Sequence, residues 1–278
     1  MALKTQISKP GKRPGKLKKA ERRAQILLEL KLRPHVRISE LARRFHASPE
    51  TLRRDLDALA KDGLIERAHG GASAPAQGHY PSLHERTSER LDERERIAAL
   101  AASQVRDGET VMIDSGSTTI ELAKALSYRG VCCTVITNSL PIAMTLGHGA
   151  AKVLLCPGEY QPSESAVTGT ETLEFLRGYT VDRCMIGASG FSADGVSETV
   201  HGFAAIKREM LRRSGMRQLL IGSEKFGQDG VARVAGINAL STIFTDAQPD
   251  RDLRHALARA NVAIQVADQS SAANYPEK

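Results

Sequence analysis

Residues 110–123 read TVMIDSGSTTIELA. An apolar run ends at Asp114, small hydroxylated residues follow around one glycine, and a helical pattern begins. Gly116 would let backbone N–H groups approach an anion, the hydroxyls of Ser115, Ser117, Thr118 and Thr119 can donate, and a helix N-terminus adds positive potential. This is the chemistry of a phosphate cradle. It is not a nucleotide loop, because G-x-x-x-x-G-K-[ST] is absent and no strand–turn–helix stretch offers G-x-G-x-x-G. Lys225 could supply a full positive charge, and Asp114 and Asn138 stand at strand ends where the rest of a ligand would lie. Small hydroxyl residues also serve as ordinary caps and turns, and the spacing alone does not separate an enzyme turning over a phosphorylated molecule from a sensor that detects one.

The elements around this stretch determine what it can reach. Past Gly108 the chain alternates apolar runs (TVMID, VCCTVIT, KVLLC, DRCMIGAS, QLLIG, STIFTD, VAIQVA) with helical patterns at 118–127, 139–146, 169–177, 201–213 and 250–259. Near-continuous apolar strands separated by helices predict a mostly parallel α/β sheet covered on both faces. Ligands of such sheets bind beyond the carboxyl ends of the strands, where Asp114–Thr119, Asn138, Gly187–Gly190, Lys225 and Asp246 fall. Gly187–Gly190 and Asp194-Gly195 read as tight turns rather than contacts.

The N-terminal third has a different charge. Residues 1–80 hold 18 Lys or Arg against 8 Asp or Glu, a net +10, whereas residues 81–278 hold 21 against 24, a net −3. Such segregation points to a polyanion-binding module joined to a near-neutral one. ERRAQILLELKL places Ile26, Leu27 and Leu30 on one helix face, with Pro34 beyond its end. ISELARRFHA follows as a short helix with Ser39 as expected N-cap, and then SPETLRRDLDALAKDG, with Ser48 as cap, Pro49 at the first position, Leu52, Leu56 and Leu59 as apolar stripe and Gly63 as stop. LIERAHGGAS leaves room for a small β-wing. Three short helices and a wing make a winged helix-turn-helix, whose third helix enters the major groove of double-stranded DNA. The expected DNA contacts are Ser48, Glu50, Thr51, Arg53 and Arg54, with Arg67 and His69 in or near the wing.

The resulting division is a disordered basic tail over 1–20, the winged module over 21–76 with its helix-turn-helix at about 38–57, a linker over 77–90, and an α/β domain over 91–270. No apolar run approaches the roughly 20 residues that cross a bilayer, and the basic N-terminus lacks the apolar middle of a secretory signal, so a cytoplasmic protein with no membrane partner is expected. Cys132, Cys133, Cys156 and Cys184 sit in apolar runs without metal-ligand spacing and read as buried reduced thiols. No metal or cofactor is expected.

ISELARRFHASPETLRRDLDALAKDGLIERAHGGA resembles the helix-turn-helix and wing signature of the DeoR family of bacterial sugar-metabolism regulators, and DSGSTTIELA, TNSLPIA, IGASGFSADGVSE, IKREML and SEKFG with TD recur in that family's order. The resemblance runs from about Glu21 to Asp246. It implies a sensor domain related in fold to ribose-5-phosphate isomerases and CoA transferases, which binds a phosphorylated sugar or related metabolite and changes the operator affinity of an oligomeric repressor. It places the phosphate on Ser115, Gly116, Ser117, Thr118 and Thr119, with Asp114, Asn138 and Lys225 nearby. Ser117 stands where the family usually has Thr, Cys156-Pro157-Gly158 replaces a Gly-Gly-bearing turn, and Gly222 occupies a place where Asp is frequent. A homo-oligomer, at least a dimer, is expected because repressors match paired half-sites. The alternative readings are a sugar-phosphate isomerase-like enzyme with a DNA-binding appendage, for which Asp114 and Glu224 would be the carboxylates on offer, and a constitutive architectural DNA binder.

Overall fold

The computed structural model describes residues 18–32, 35–61, 65–68, 70–73 and 83–268. Pro34, Gly63, His69, the basic tail up to Leu17 and residues 74–82 of the wing exit and linker lie outside the described residues. The chain divides into two compact units, 1–80 and 81–278.

In the first unit α1 (Lys19–Leu32) is followed by β1 (His35–Arg37), α2 (Ile38–Phe45), α3 (Pro49–Lys61), β2 (Glu66–Ala68) and β3 (Gly71–Ser73). The strands form an antiparallel sheet in the order β1-β3-β2. Ile26, Leu41, Leu52 and Leu56 make the centre of its core, with Phe45, Leu59 and Ile65 around them. Ser48 caps α3 as expected, accepting the Thr51 N–H at 3.2 Å.

Ser39 does not cap α2. The helix starts two residues earlier, at Ile38 with Arg37 as its N-cap, because β1 runs straight into it, and the Ile38 N–H is satisfied by the Gly70 carbonyl at 3.0 Å instead of by a side chain. That contact explains the paired glycines of the wing. Gly70 turns with φ 76°, and a Cβ on Gly71 would stand 2.0 Å from the Val36 carbonyl oxygen.

A charged residue also enters this small core. Asp55 is 2% exposed and binds Arg22 at 2.5 Å and Arg23 at 3.2 Å, tying α3 to α1. Asp55→Ala is expected to lower the unfolding free energy of the first unit by about 2 kcal/mol, below the 3–5 kcal/mol of a fully sealed pair because Arg23, 25% exposed in its side chain, keeps its contact with water. Urea unfolding of the chain followed by circular dichroism checks it.

In the second unit α4 (Leu83–Ser88) and α5 (Leu91–Ala102) lead into β4 (Thr110–Ile113), α6 (Ser117–Arg129), β5 (Thr134–Thr137), α7 (Leu140–Leu146) and β6 (Lys152–Leu155). A hairpin of β7 (Glu159–Gln161) and β8 (Ala166–Thr168) follows, then α8 (Thr170–Arg177), β9 (Val181–Ile186), β10 (Gly190–Ser192), β11 (Gly195–Glu198), α9 (His201–Arg212), β12 (Ser214–Leu220), β13 (Ala232–Ala235), β14 (Thr242–Thr245), α10 (Arg251–Arg259) and β15 (Ala263–Val266). The expected parallel strands form one seven-stranded sheet, β15-β14-β12-β9-β4-β5-β6.

Each apolar run is shared between two cores by the two-residue period of a strand. Val111, Ile113, Val135, Met185, Leu220 and Phe244 face α5, α6 and α7, while Met112, Ile136, Cys184, Ile186, Leu219 and Ile243 face α9 and α10. The antiparallel sheet β10-β11-β13 and the β7–β8 hairpin are additions that the sequence reading missed. Asp194-Gly195 is the turn of the β10–β11 hairpin, with Gly195 at φ 116°. Cys133, Cys156 and Cys184 are buried, and burial pushes the thiols of Cys156 and Cys184 up to about 12. Cys132 corrects the expectation of four buried thiols: β5 begins only at Thr134, and Cys132 lies exposed in the turn before it.

Candidate functional site

The chain runs outward from β4 through β5 to β6, then returns to the other side of β4 with β9 and continues through β12, β14 and β15. The direction of winding reverses between β4 and β9, and the crevice of such a sheet opens there, beyond the strand ends. Asp114 follows β4, and its Oδ1 accepts the Gly187 N–H at 3.0 Å across that crevice. The next residues turn into α6, whose first turn has N–H groups with no partner inside the helix.

Gly116 is extended, with φ 169°, and a Cβ there would lie 3.3 Å from the Thr119 hydroxyl. Ser115, Ser117 and Thr118 are nearly covered at 5–6% exposure, and no side chain caps the helix. Thr119 departs from expectation. Its hydroxyl points inward and donates to the carbonyls of Asp114 at 2.9 Å and Gly116 at 3.1 Å, so it braces the loop and leaves only its amide for a ligand.

Asn138 is fully buried; its Nδ2 donates to the Val167 carbonyl at 3.0 Å and fastens the β7–β8 hairpin to the sheet, while its Oδ1 has no hydrogen-bond partner. Lys225, in the short turn after β12, is half-buried and donates to the Ala188 carbonyl at 2.8 Å, at the end of β9. Burial pulls its ammonium below the ordinary lysine value. An ammonium held by a neutral oxygen in a desolvated place gains from an incoming anion. Asp114, Asn138 and Lys225 thus stand at the ends of three strands on the carboxyl edge of one sheet, with the 115–119 loop among them.

The sequence reading missed a second lysine. Lys207 on α9 is 3% exposed in its side chain, donates to Asp114 Oδ2, and lies 3.2 Å from Glu198 at the end of β11. Glu198 also accepts from the Ser189 hydroxyl and from the Thr199 N–H at 2.8 Å. One cation is shared by two carboxylates, and their titrations are driven apart. Burial pushes Asp114 up in spite of Lys207. Burial would raise Glu198 as well, but Lys207, Ser189 and Thr199 together outweigh it and hold Glu198 below the usual carboxylate range. Glu224 belongs to another group, since its carboxylate meets Arg90 at 3.4 Å.

A depressed folded value means that Glu198 contributes stability above its unfolded value, and that this contribution is lost as pH falls through the folded one; Asp114, raised, has the opposite sign. Glu198→Gln should therefore lose less stability than the parent between pH 6 and about pH 4, near the unfolded glutamate value. Urea midpoints at the two pH values check it, and an unchanged pH dependence would show that Glu198 does not titrate differently on folding.

On the first unit, the exposed side of α3 carries Glu50, Arg53 and Arg54. Glu50 meets Arg53 at 3.4 Å and Arg54 at 3.5 Å, and the Arg54 side chain is 80% exposed. Thr51 shares its hydroxyl with Ser48 at 2.8 Å. Arg67 is engaged inside the module: it binds Asp57 of α3 at 3.0 Å and the Gly71 carbonyl at 2.9 Å, so it braces the wing against α3. The Asp57 side chain is 63% exposed, so this pair lies on the outer face of α3. Among the described residues no group of His, Cys, Asp or Glu could hold a metal ion, and no helix is long and apolar enough to cross a membrane.

Two family models cover these two units: a DeoR-like helix-turn-helix domain matches residues 22–77 and a DeoR C-terminal sensor domain matches residues 89–247. The chain belongs to the DeoR family. Its relatives in that family include the glycerol-3-phosphate regulon repressor of Escherichia coli, 30% identical over 90% of this chain and 100% of that protein. The transcriptional repressor GlcR of Bacillus subtilis is 30% identical over 90% and 96%, and the lactose phosphotransferase system repressor of Lactococcus lactis 31% over 84% and 92%. Solved structures that resemble this DeoR-family chain include ribose 5-phosphate isomerase A of Methanocaldococcus jannaschii, with a TM-score of 0.38 and 16% identity over 50% of this chain and 55% of that one. This DeoR-family protein is a DNA-binding transcriptional repressor, and operator DNA is its partner.

Proposed function

We propose that the second unit is a receptor for a phosphorylated sugar or related metabolite, and that its occupancy retunes the operator affinity of a homo-oligomer, a dimer or larger. The phosphate rests on Ser115, Gly116, Ser117, Thr118 and the Thr119 amide, with Asp114, Asn138 and Lys225 around the remainder. The observation that carries this reading is the open first turn of α6 at the winding reversal of the sheet, with the Lys225 ammonium at the end of β9. The names of two relatives, a glycerol-3-phosphate regulon repressor and a phosphotransferase system repressor, support the ligand class. Coupling requires the ligand to bind one arrangement of the protein better than another, since equal affinity shifts nothing. Calorimetry with pairs of phosphorylated and dephosphorylated compounds, glycerol 3-phosphate against glycerol among them, tests it. Binding of both members of a pair alike would remove the phosphate from the account. Turnover of a sugar phosphate by the full chain would favour the isomerase-like alternative.

On the operator side, Ser48, Glu50, Thr51, Arg53 and Arg54 meet the major groove, with Arg67 and His69 at the flanking backbone or minor groove. The Glu50 pairs hold Arg53 and Arg54 on the exposed face of α3. Arg54→Ala is expected to weaken operator binding by about 1–3 kcal/mol if Arg54 reads a base, or to reduce the salt slope by about one if it neutralises a phosphate. Gel-shift affinities at several salt concentrations distinguish the two, and no change in either would take Arg54 out of the interface.

A further inference from the structure

The covalent path from the winged module into the sensor unit passes through α4, a break at Glu89-Arg90, and α5. Arg90 at this break holds a left-handed conformation, φ 49°, which a non-glycine residue adopts only when its surroundings enforce it. The enforcing contacts lie on the rim of the candidate phosphate site. Arg90 binds Asp246 beyond β14 at 2.9 Å and Glu224 in the turn of Lys225 at 3.4 Å, and Asp246 in turn accepts the Ser223 N–H at 2.7 Å. Four residues on, Arg94 is 6% exposed and its guanidinium faces two ways. It donates to the carbonyls of Thr87 at 2.8 Å and Glu89 at 2.7 Å, which end α4, and it reaches the carbonyl of Ser117 at 3.4 Å, the first residue of α6, with Glu121 at 3.7 Å.

Closing the carbonyl end of α4 would be a sufficient structural role for Arg94. The bond to Ser117 adds a second one. The planar fork has fixed donor directions, so a shift of the first turn of α6 towards a bound anion cannot be followed by Arg94 without altering its hold on Thr87 and Glu89. We propose that Arg94, together with Arg90, is the positioning element that carries occupancy of the 115–119 cradle into α4 and so towards the winged module. Coupling by a shared side chain of this kind needs only sub-ångström movement at the ligand, because packed elements switch between discrete arrangements. This inference rests on the phosphate reading of the cradle.

Hydrogen exchange of the full chain, read by mass spectrometry with and without inorganic phosphate at matched ionic strength, tests it. In the parent, phosphate should slow exchange in peptides covering 115–120 and change exchange in 83–94, each by roughly fivefold or more. In Arg94→Gln the response at 115–120 should persist while the phosphate-dependent change at 83–94 disappears. A merely structural Arg94 would raise exchange in 83–94 equally with and without phosphate, leaving the difference intact, and that result overturns the proposal. So does a parent in which 115–120 responds and 83–94 does not. Should Arg94→Gln lose its helical circular dichroism, Arg90→Ala, on the half-exposed rim, carries the same comparison with the same expected loss. Absence of any phosphate response at 115–120 in the parent overturns the cradle reading itself and the inference with it.

Discussion

Lys207→Met lowers the unfolding free energy of the sensor unit by about 3–5 kcal/mol. The reason is an imbalance of charge inside the protein. Lys207 is the shared partner of Asp114 and Glu198, whose side chains are 1% and 8% exposed. Methionine fills nearly the same volume, so the loss does not come from a cavity. It comes from two carboxylates left facing one another with only the Gly187, Ser189 and Thr199 donors to hold them. Part of the penalty is avoided if one acid takes up a proton, and Asp114, already pushed up by burial, is the one to do so. The destabilisation should accordingly be smaller at low pH than at pH 7. Urea unfolding at both values reads it, and a variant as stable as the parent at neutral pH would mean that the lysine is dispensable to the fold.

Ser117→Asp leaves the fold intact and removes phosphate-ligand binding, by about 100-fold or more. Ser117 begins α6, and the macrodipole favours a carboxylate in the first turn of a helix by about 0.3–1 kcal/mol, which together with the open N–H groups there offsets the cost of placing a charge at a site only 5% exposed, so the protein stays folded. The same carboxylate occupies the place proposed for the ligand phosphate. Repulsion between a dianion and a fixed charge in a partly desolvated cradle exceeds about 3 kcal/mol at an effective dielectric near 20, which is a factor above 100 in affinity. Calorimetry on parent and variant with the same sugar phosphate checks it, with the melting temperature as control for folding.

The seven strands of the parallel sheet and the helices at 118–127, 139–146, 169–177, 201–213 and 250–259 were legible because each carries its own periodicity, and those helix boundaries agree with the observed ones to within a residue or two; the strands of the β7–β8 hairpin and of the β10-β11-β13 sheet, three or four residues each, are too short to show a period. Three buried charges that were not legible share one form. Asp55, Arg94 and Lys207 each occupy a position that the apolar stripe of their own helix requires: Leu52, Asp55, Leu56 and Leu59; Arg94, Ile97, Ala98 and Ala101; Phe203, Ile206, Lys207 and Met210. A charge on a buried stripe must find a partner, and that much is visible in the pattern. The partner is not, because it lies far away in the chain: 33 residues separate Asp55 from Arg22, and 93 separate Lys207 from Asp114. The inward turn of the Thr119 hydroxyl was hidden for a different reason, since a Thr at a helix start serves equally as ligand donor or as loop brace. Ser39 does not cap α2 because β1 runs directly into the helix and the Gly70 carbonyl of the wing turn, 32 residues away in the chain, takes the Ile38 N–H instead.

The most direct test of the whole account measures operator affinity of the full chain by fluorescence anisotropy, with and without a saturating phosphorylated ligand found by calorimetry, in the parent and in Ser117→Asp. The account predicts a change of about 5-fold or more in the parent and none in the variant, whose affinity for DNA without ligand stays at the parent's value. A ligand that binds the parent and leaves operator affinity unchanged, or one that shifts the variant as strongly as the parent, would contradict it.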